Sequence, residues 1–148
     1  AYLRFVVPQW LLDSTTIVRA TLLVTQVPTR GFDQSDSVTV VGQAVAATSL
    51  ITDLYRSSQI LVPAGLFVTD SMRMAPADSG VRTLELNALV RLWKAQTGAE
   101  APQRAIVLLM KEEGLHGAEV RFFNSRAAAS VRPRLRVSYI PRVDFGVP

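Results

Sequence analysis

Short runs of alternating or continuous apolar residues, separated by polar turn sequences, make up most of this chain. The clearest run, Ile17 to Val27, is dense in β-branched residues and predicts a strand. Its polar side chains at Arg19, Thr21 and Thr25 are spaced so that they face one side. The same reasoning predicts further strands at residues 2–8, 38–41, 81–86, 105–110, 119–123 and 135–140.

Turn residues separate these predicted strands. Asp13–Thr16 is typical of a turn, and Pro28–Ser37 and Ala75–Gly80 have the Pro, Gly, Asp and Ser content of loops. Lys111–Gly117 is polar and contains glycine, as a hairpin connection would. Asn124–Arg132 is predicted to be a further loop. Many short strands with turns between them predict an all-β fold, a jelly-roll-like antiparallel β-sandwich.

One or two short helices complete the predicted fold. Within Asn87–Thr97, three apolar side chains including Trp93 fall at helical spacing, Asn87 is placed to cap the start, and Gly98 to end the element. The spacing also predicts that Trp93 packs in the core. Thr48–Ser58 fits either a short helix or a turn.

Composition predicts a single compact β-sandwich domain over residues 1–148, with residues 141–148 as an extended tail. Apolar residues make up 49% of the chain and charged residues 19%, which favours a sizeable core. No apolar stretch reaches the roughly 18 residues that a membrane helix needs, so we expect no transmembrane segment. The sequence begins at Ala1 without a start methionine, and we interpret this as compatible with removal of a signal segment.

Positive charge is concentrated in the last third of the chain. Residues 101–148 hold eight Lys and Arg against four Asp and Glu, whereas residues 1–100 hold eight of each. On the last predicted strand, Arg134 and Arg136 share one face. Two interpretations stay open: a solvated outer face, or a cationic surface for an acidic polysaccharide, an anionic lipid or an acidic protein. The candidate interaction residues are Arg132, Arg134, Arg136, Arg142 and Trp10.

Trp10 is included because it lies beside a proline and a predicted turn, where an indole ring can be exposed for binding. The neighbouring Leu11 and Leu12 indicate burial or a protein contact instead. Aromatic residues are not interleaved with the arginines, as the stacking of nucleic-acid bases requires, so we expect no nucleic-acid partner.

The sequence holds no recognisable catalytic or metal-binding motif. It contains no cysteine, a single histidine at position 116, and no nucleophile elbow or glycine-rich phosphate loop. Glu112 and Glu113 fit a solvated loop, and Asp33 and Asp36 fit turn chemistry better than a calcium site. We therefore expect a protein that is not an enzyme and that uses no cofactor or metal.

The second half of the chain ends with two distinctive segments, Phe122 to Arg126 and then Arg132 to Tyr139. They are similar to the Phe-x-Ser-Arg segment and the Pro-Arg-Leu-x-Val-x-Tyr strand of the DNRLRE family of bacterial extracellular domains. Ala1 to Phe5 and Arg19 to Leu23 look like its early strands. The resemblance implies a jelly-roll-like sandwich on a secreted, periplasmic or cell-surface protein, and some relatives are described as carbohydrate-binding modules.

The strands that usually precede the Leu3-Arg4-Phe5 element in that family have no counterpart in the sequence. Their absence would leave an edge for a preceding segment, another copy or a partner strand to fill. Extra residues before Ala1 in the natural protein would remove the need for a strand donated by a partner. The expected function is an accessory or scaffold module that docks to other envelope proteins or to copies of itself. The alternative is a module that binds a polysaccharide, with an acidic polymer as one candidate.

Overall fold

The described part of the chain comprises residues 1–30, 37–45, 68–95, 104–111, 114 and 117–142 of a computed structural model. Strands hold 52% of it, which confirms the all-β prediction. Its elements, in chain order, are β1 (Tyr2–Arg4), α1 (Gln9–Asp13), β2 (Thr15–Val27), β3 (Val38–Val45), β4 (Val68–Met74), β5 (Gly80–Glu85), α2 (Asn87–Ala95), β6 (Ala105–Met110), β7 (Arg121–Phe122) and β8 (Arg134–Pro141).

These strands form two antiparallel sheets. Sheet A has the order β1-β6-β3-β4, and sheet B is built on β2. Strand β5 pairs with β2 over Thr21 to Gln26, and β8 pairs with it over Thr15 to Leu23. Strand β7 pairs only with Gln26 and Val27. Because Leu22 and Gln26 each have a neighbour on both sides, β7 and β8 must share the edge of β2 opposite to β5.

Both sheets and both helices contribute to one hydrophobic core. Leu22 of β2, Val40 of β3 and Ile106 of β6 all belong to the same buried cluster. Trp93 of α2 is 4% exposed, as its helical spacing predicts, and its ring centroid lies 6.0 Å from that of Phe5. The inward faces of the two sheets therefore pack against each other as in a β-sandwich.

A bulge in β2 explains why its buried residues do not alternate strictly. The pairing with β8 shifts register between Ile17 and Arg19, which leaves Val18 as the extra residue, half exposed. A bulge changes the phase of the alternation, so Ile17 and Ala20 both face the core although they are three residues apart.

The predicted hairpin at Lys111–Gly117 is wrong. The strand before it, β6, belongs to sheet A, and the strand after it, β7, belongs to sheet B, so the segment connects the two sheets. Its polar composition identified a connection but not which strands it joins. The predicted strand at 119–123 is also shorter, since only Arg121–Phe122 pairs.

Two other local predictions are corrected, and one strand is added to the predicted set. The turn predicted at Asp13–Thr16 is reduced to Ser14, because α1 ends at Asp13 and β2 begins at Thr15. The added strand is β4, whose consecutive polar residues Thr69, Asp70 and Ser71 interrupt the alternation in the sequence. Asn87 is predicted to cap α2, but it is the first residue of that helix, and its side-chain oxygen accepts a hydrogen bond from the Ala20 N–H of β2.

Some predictions lie outside the described residues. They concern the helix or turn at 48–58, most of the loop at 28–37, the helix end at Gly98 and residues 143–148 of the tail. The described end of the chain, up to Arg142, continues from β8 and donates a backbone hydrogen bond to Ser14 O. Among the described helices, none has the length and apolar content needed to cross a membrane.

Leu22 tests the central position of β2. Its side chain is fully buried, and it pairs with Leu84 on one side and Leu135 on the other. We expect Leu22→Ala to lower the free energy of unfolding by about 2–5 kcal/mol in urea titrations. Val18→Ala removes an exposed side chain from the bulge and should change the free energy of unfolding by less than about 0.5 kcal/mol. Equal effects of the two substitutions would contradict this packing.

Candidate functional site

An apolar cleft of about 520 Å³ lies between β1 of sheet A and the segment around β7 of sheet B. We call it the β1–β7 cleft. A second cavity of about 290 Å³ adjoins it and shares Leu108, Val120 and Phe122 with it. The β1–β7 cleft is lined by Ala1, Tyr2, Leu3, Arg4, Phe5, Val24, Leu108, Val120, Phe122, Phe123, Asn124, Ser125 and Pro133.

The wall from sheet A is the short edge strand β1. Ala1 and Leu108 exchange two backbone hydrogen bonds of 2.7 Å, and the Phe5 N–H donates to Arg104 O at 2.8 Å. This register, with Leu3 opposite Ile106, turns the Leu3 side chain inward against the core. One wall of the cleft is therefore a strand paired along only one edge within the described part of the chain.

The wall from sheet B is formed by β7 and the turn after it. The Phe123 N–H donates to Thr25 O at 3.1 Å, and pairing with β2 then stops. The Asn124 side-chain oxygen accepts from the Arg126 N–H at 2.9 Å, which holds the following turn in place. Because the chain turns away here, the space beside β1 is not filled from this side.

The cleft is apolar inside and has aromatic residues at its rim. Phe122 and Val120 are half-buried and pack against the core, whereas Tyr2 and Phe123 are 40% and 38% exposed. Arg4 contributes the one charged side chain of the lining and has no ion-pair partner among the described residues. An apolar cleft of this size, with few polar groups, has the character of a binding site.

The structure places the predicted arginines of β8 on the outer face of sheet B. Arg134 and Arg136 are exposed, while the alternate residues Leu135 and Val137 pack toward the core, as the alternation predicts. Arg134 makes one long hydrogen bond, 3.4 Å to Ser130 O. Arg136 has no ion-pair partner in the described part of the chain.

The acidic residues nearest to these arginines are already paired. Arg19 binds Glu85 through two guanidinium nitrogens, with a closest distance of 2.5 Å, and Thr21 donates to the same carboxylate at 3.2 Å. The hydrogen bond from Arg19 lowers the pKa of Glu85 and raises the pKa of Arg19. Between residues 117 and 142 the chain holds six arginines and one glutamate, and that glutamate pairs with Arg121. The β8 face therefore keeps a net positive charge.

The five predicted interaction residues do not form one surface. Arg132 precedes β8 and Arg142 follows it, so the length of the strand, about 26 Å, separates them. Trp10 lies at the Arg142 end: it is 54% exposed, and its ring makes an edge contact with Tyr139 at 5.6 Å. The structure thus brings Trp10 toward Arg142 and leaves Arg132, Arg134 and Arg136 together elsewhere.

Sequence reasoning missed the residues of the β1–β7 cleft. They come mainly from residues 1–5 and 120–125, which lie far apart in the chain, and no motif links them. The one related prediction is the open edge beside the Leu3-Arg4-Phe5 element, and it rests on the resemblance to the DNRLRE family, not on a motif. The second wall of the cleft comes from β7, which the chain reaches by crossing from sheet A to sheet B. The sequence predicts a hairpin for this connection, so it does not place β7 opposite β1.

No group of three or more His, Cys, Asp or Glu side chains suited to a metal ion occurs among the described residues. The candidates His116, Glu112, Glu113, Asp33 and Asp36 lie outside them. Comparison with models of protein families, with curated proteins and with solved structures finds no match. The resemblance to the DNRLRE family therefore stays a prediction.

The Arg19–Glu85 pair has a testable pH dependence. Because the folded pKa of Glu85 is lowered, the pair stabilises the fold above the ordinary carboxyl pKa, and this contribution is lost as the pH falls through the lowered value. NMR titration of the Glu85 carboxyl should show that its pKa rises toward the ordinary value in Arg19→Ala. An unchanged midpoint in that variant would show that Arg19 does not cause the shift.

Proposed function

We propose that this domain is a non-catalytic interaction module, an accessory or scaffold subunit that docks to another protein through the β1–β7 cleft. The observation that carries the proposal is the cleft itself, a volume of about 520 Å³ that is lined mostly by apolar side chains and lies beside an edge strand. Apolar side chains that are in contact with water favour occupation by another apolar group.

The residues of the cleft support a protein as the occupant. Aromatic side chains are enriched at the centres of protein interfaces, and Tyr2, Phe122 and Phe123 all line this cleft. The adjoining cavity extends the same apolar surface past Val120 toward Met110. Arg4 is the one charged side chain of the lining, and the side-chain oxygen of Asn124 is already bonded within its own turn, so most of the contact that the cleft offers is apolar.

The proposed setting is the periplasm, the cell surface or the outside of a bacterial cell. The resemblance to DNRLRE domains supports it. In such a setting, a binding domain assembles larger envelope proteins or complexes, and its partners are other envelope proteins.

Val120→Asp tests the cleft as the docking site. Val120 lines both cavities, so a carboxylate there would be buried without a partner when the cleft is occupied. In a mild-detergent capture from the source cells, we expect the variant to recover stoichiometric partners about tenfold less than the wild-type protein does.

Ile140→Asp is the matched control. It introduces the same charge at a side chain that is 59% exposed on the outer face of sheet B, away from the cleft. It should recover partners like the wild type, and circular dichroism should show both variants folded. Partners that are retained by Val120→Asp would exclude the cleft as their docking site.

A second candidate function, binding of an acidic polysaccharide, is favoured by one specific observation. Trp10 and Tyr139 form an exposed aromatic pair, and the Arg142 backbone is hydrogen-bonded beside it to Ser14. An aromatic surface beside a cation suits a sugar ring that bears an acidic group. Arg136, which lacks an ion-pair partner among the described residues, offers a further cation elsewhere.

Trp10→Ala tests this second candidate in affinity electrophoresis through gels containing an acidic polysaccharide. If the aromatic pair binds sugar, the dissociation constant should rise at least about fivefold, which corresponds to about 1 kcal/mol. Val81→Ala, which also removes an exposed side chain, should leave it unchanged. A wild-type protein that migrates without retardation would remove this candidate.

A further inference from the structure

The free edge of β1 presents backbone groups to the β1–β7 cleft. Residues alternate along an antiparallel ladder between those that bond to a neighbouring strand and those whose N–H and C=O point away from it. Ala1 bonds to Leu108 of β6 and Phe5 bonds to Arg104, the residue before β6, so Leu3 lies at the equivalent position between them. The backbone groups of Tyr2 and Arg4 therefore point away from β6, on the side of the cleft.

These groups have no protein partner in the described part of the chain, and no described element covers them. Natural edge strands are normally protected by a very short length, by charged side chains, by a proline or a bulge, or by a covering loop. Strand β1 has the short length, three residues, and one charged side chain, Arg4, which lies on the outer face because Leu3 faces inward. The inward side of the edge adjoins the apolar cleft, so the edge and the cleft together are suited to accept another strand.

We propose that the β1–β7 cleft accepts an extended segment of a partner protein, which pairs as an additional strand with Tyr2 and Arg4 of β1. This inference rests on the proposed function and specifies the form of the occupant. The main-chain hydrogen bonds fix the segment to the edge, and alternate side chains fill the cleft.

The register of β1 sets the side-chain pattern of the occupant. Side chains directly opposite one another in a sheet lie on the same face. Residues of the added strand opposite Ala1, Leu3 and Phe5 therefore point inward, toward cleft-lining residues such as Val24 and Phe122. The occupant needs apolar residues at these alternate positions, while the positions between them face outward with Arg4.

Charge selects a different protein over a second copy of this chain. Each copy carries a formal charge of +4, and the segment that forms the second wall of the cleft, residues 120–133, holds three arginines and no acidic residue. Pairing two β1 strands would bring two such surfaces and two Arg4 side chains together. An acidic residue at an outward position of the occupant would instead pair with Arg4, so the partner segment combines alternate apolar residues with acidic ones.

A displayed library of random nine-residue segments, selected against the full 148-residue chain, supplies the probes. Enriched segments are synthesised, and their dissociation constants are measured by fluorescence anisotropy for four variants. Arg4→Ala removes the charge, and Arg4→Pro removes in addition the N–H that points away from β6, at an edge position where proline is tolerated. Val120→Asp and Ile140→Asp serve as the cleft variant and the remote control.

The proposal predicts segments with alternate apolar residues and at least one acidic residue. Arg4→Ala should weaken their binding about fivefold, and Arg4→Pro a further fivefold to tenfold, because a backbone hydrogen bond is lost. Ile140→Asp should have no effect. In NMR spectra, the amide protons of Tyr2 and Arg4 should exchange quickly in the free protein and become protected in the complex.

Other outcomes overturn the proposal at different levels. Equal binding to Arg4→Ala and Arg4→Pro, together with unprotected Tyr2 and Arg4 amides, would reject strand addition. The cleft would remain a docking site in that case if Val120→Asp still abolishes binding. Segments insensitive to Val120→Asp, or no enrichment at all, would count against the proposed function as well. A dimer of the free chain that Arg4→Pro dissociates would identify a second copy as the occupant.

Discussion

Strand β2 is the constraint on which the rest of the structure depends. It is the longest described strand, and in its middle, from Thr21 to Leu23, it pairs with β5 on one edge and β8 on the other. Its inward side chains, including the fully buried Leu22, join the two sheets in one core. A strand that is paired on both edges and buried on one face leaves little freedom to the elements around it.

The β1–β7 cleft follows from how the second edge of β2 is divided. Strand β8 occupies this edge from Thr15 to Leu23, so only its far end, at Gln26 and Val27, remains for β7. A strand of two residues cannot close the side of the sandwich that faces β1, which is itself only three residues long. Two short edges that face each other leave both apolar surface and backbone groups in contact with water, and both favour a binding partner.

The sequence was sufficient for features that depend on local periodicity. The alternation of Arg134, Leu135, Arg136 and Val137 correctly assigned the two faces of β8, and the helical spacing around Trp93 placed it in the core. These predictions succeed because a buried face and a period of 2.0 or 3.6 residues leave a direct trace in the sequence. The loop predicted at Ala75–Gly80 lies between β4 and β5 in the structure. Gly80, where β5 begins, adopts a positive φ of 98°, which glycine tolerates.

Features that depend on which strands pair were not accessible in this way. The connection from β6 to β7 has the composition of a hairpin, yet the two strands belong to different sheets. Trp10 and the arginines of β8 were grouped by residue type, but Trp10 lies near Tyr139, at the opposite end of the strand from Arg132. The cleft combines the first five residues with a segment more than a hundred residues later, which only long-range pairing brings together.

The most direct test of the account is photocrosslinking in the source cells, with Tyr2 replaced by a benzophenone amino acid. Tyr2 lines the cleft and is 40% exposed, so its side chain should reach whatever occupies the site. The account predicts a discrete crosslinked partner from position 2 and none from the same probe at Val81, an exposed position on β5. Crosslinks at Val81 but not at position 2 would contradict the account.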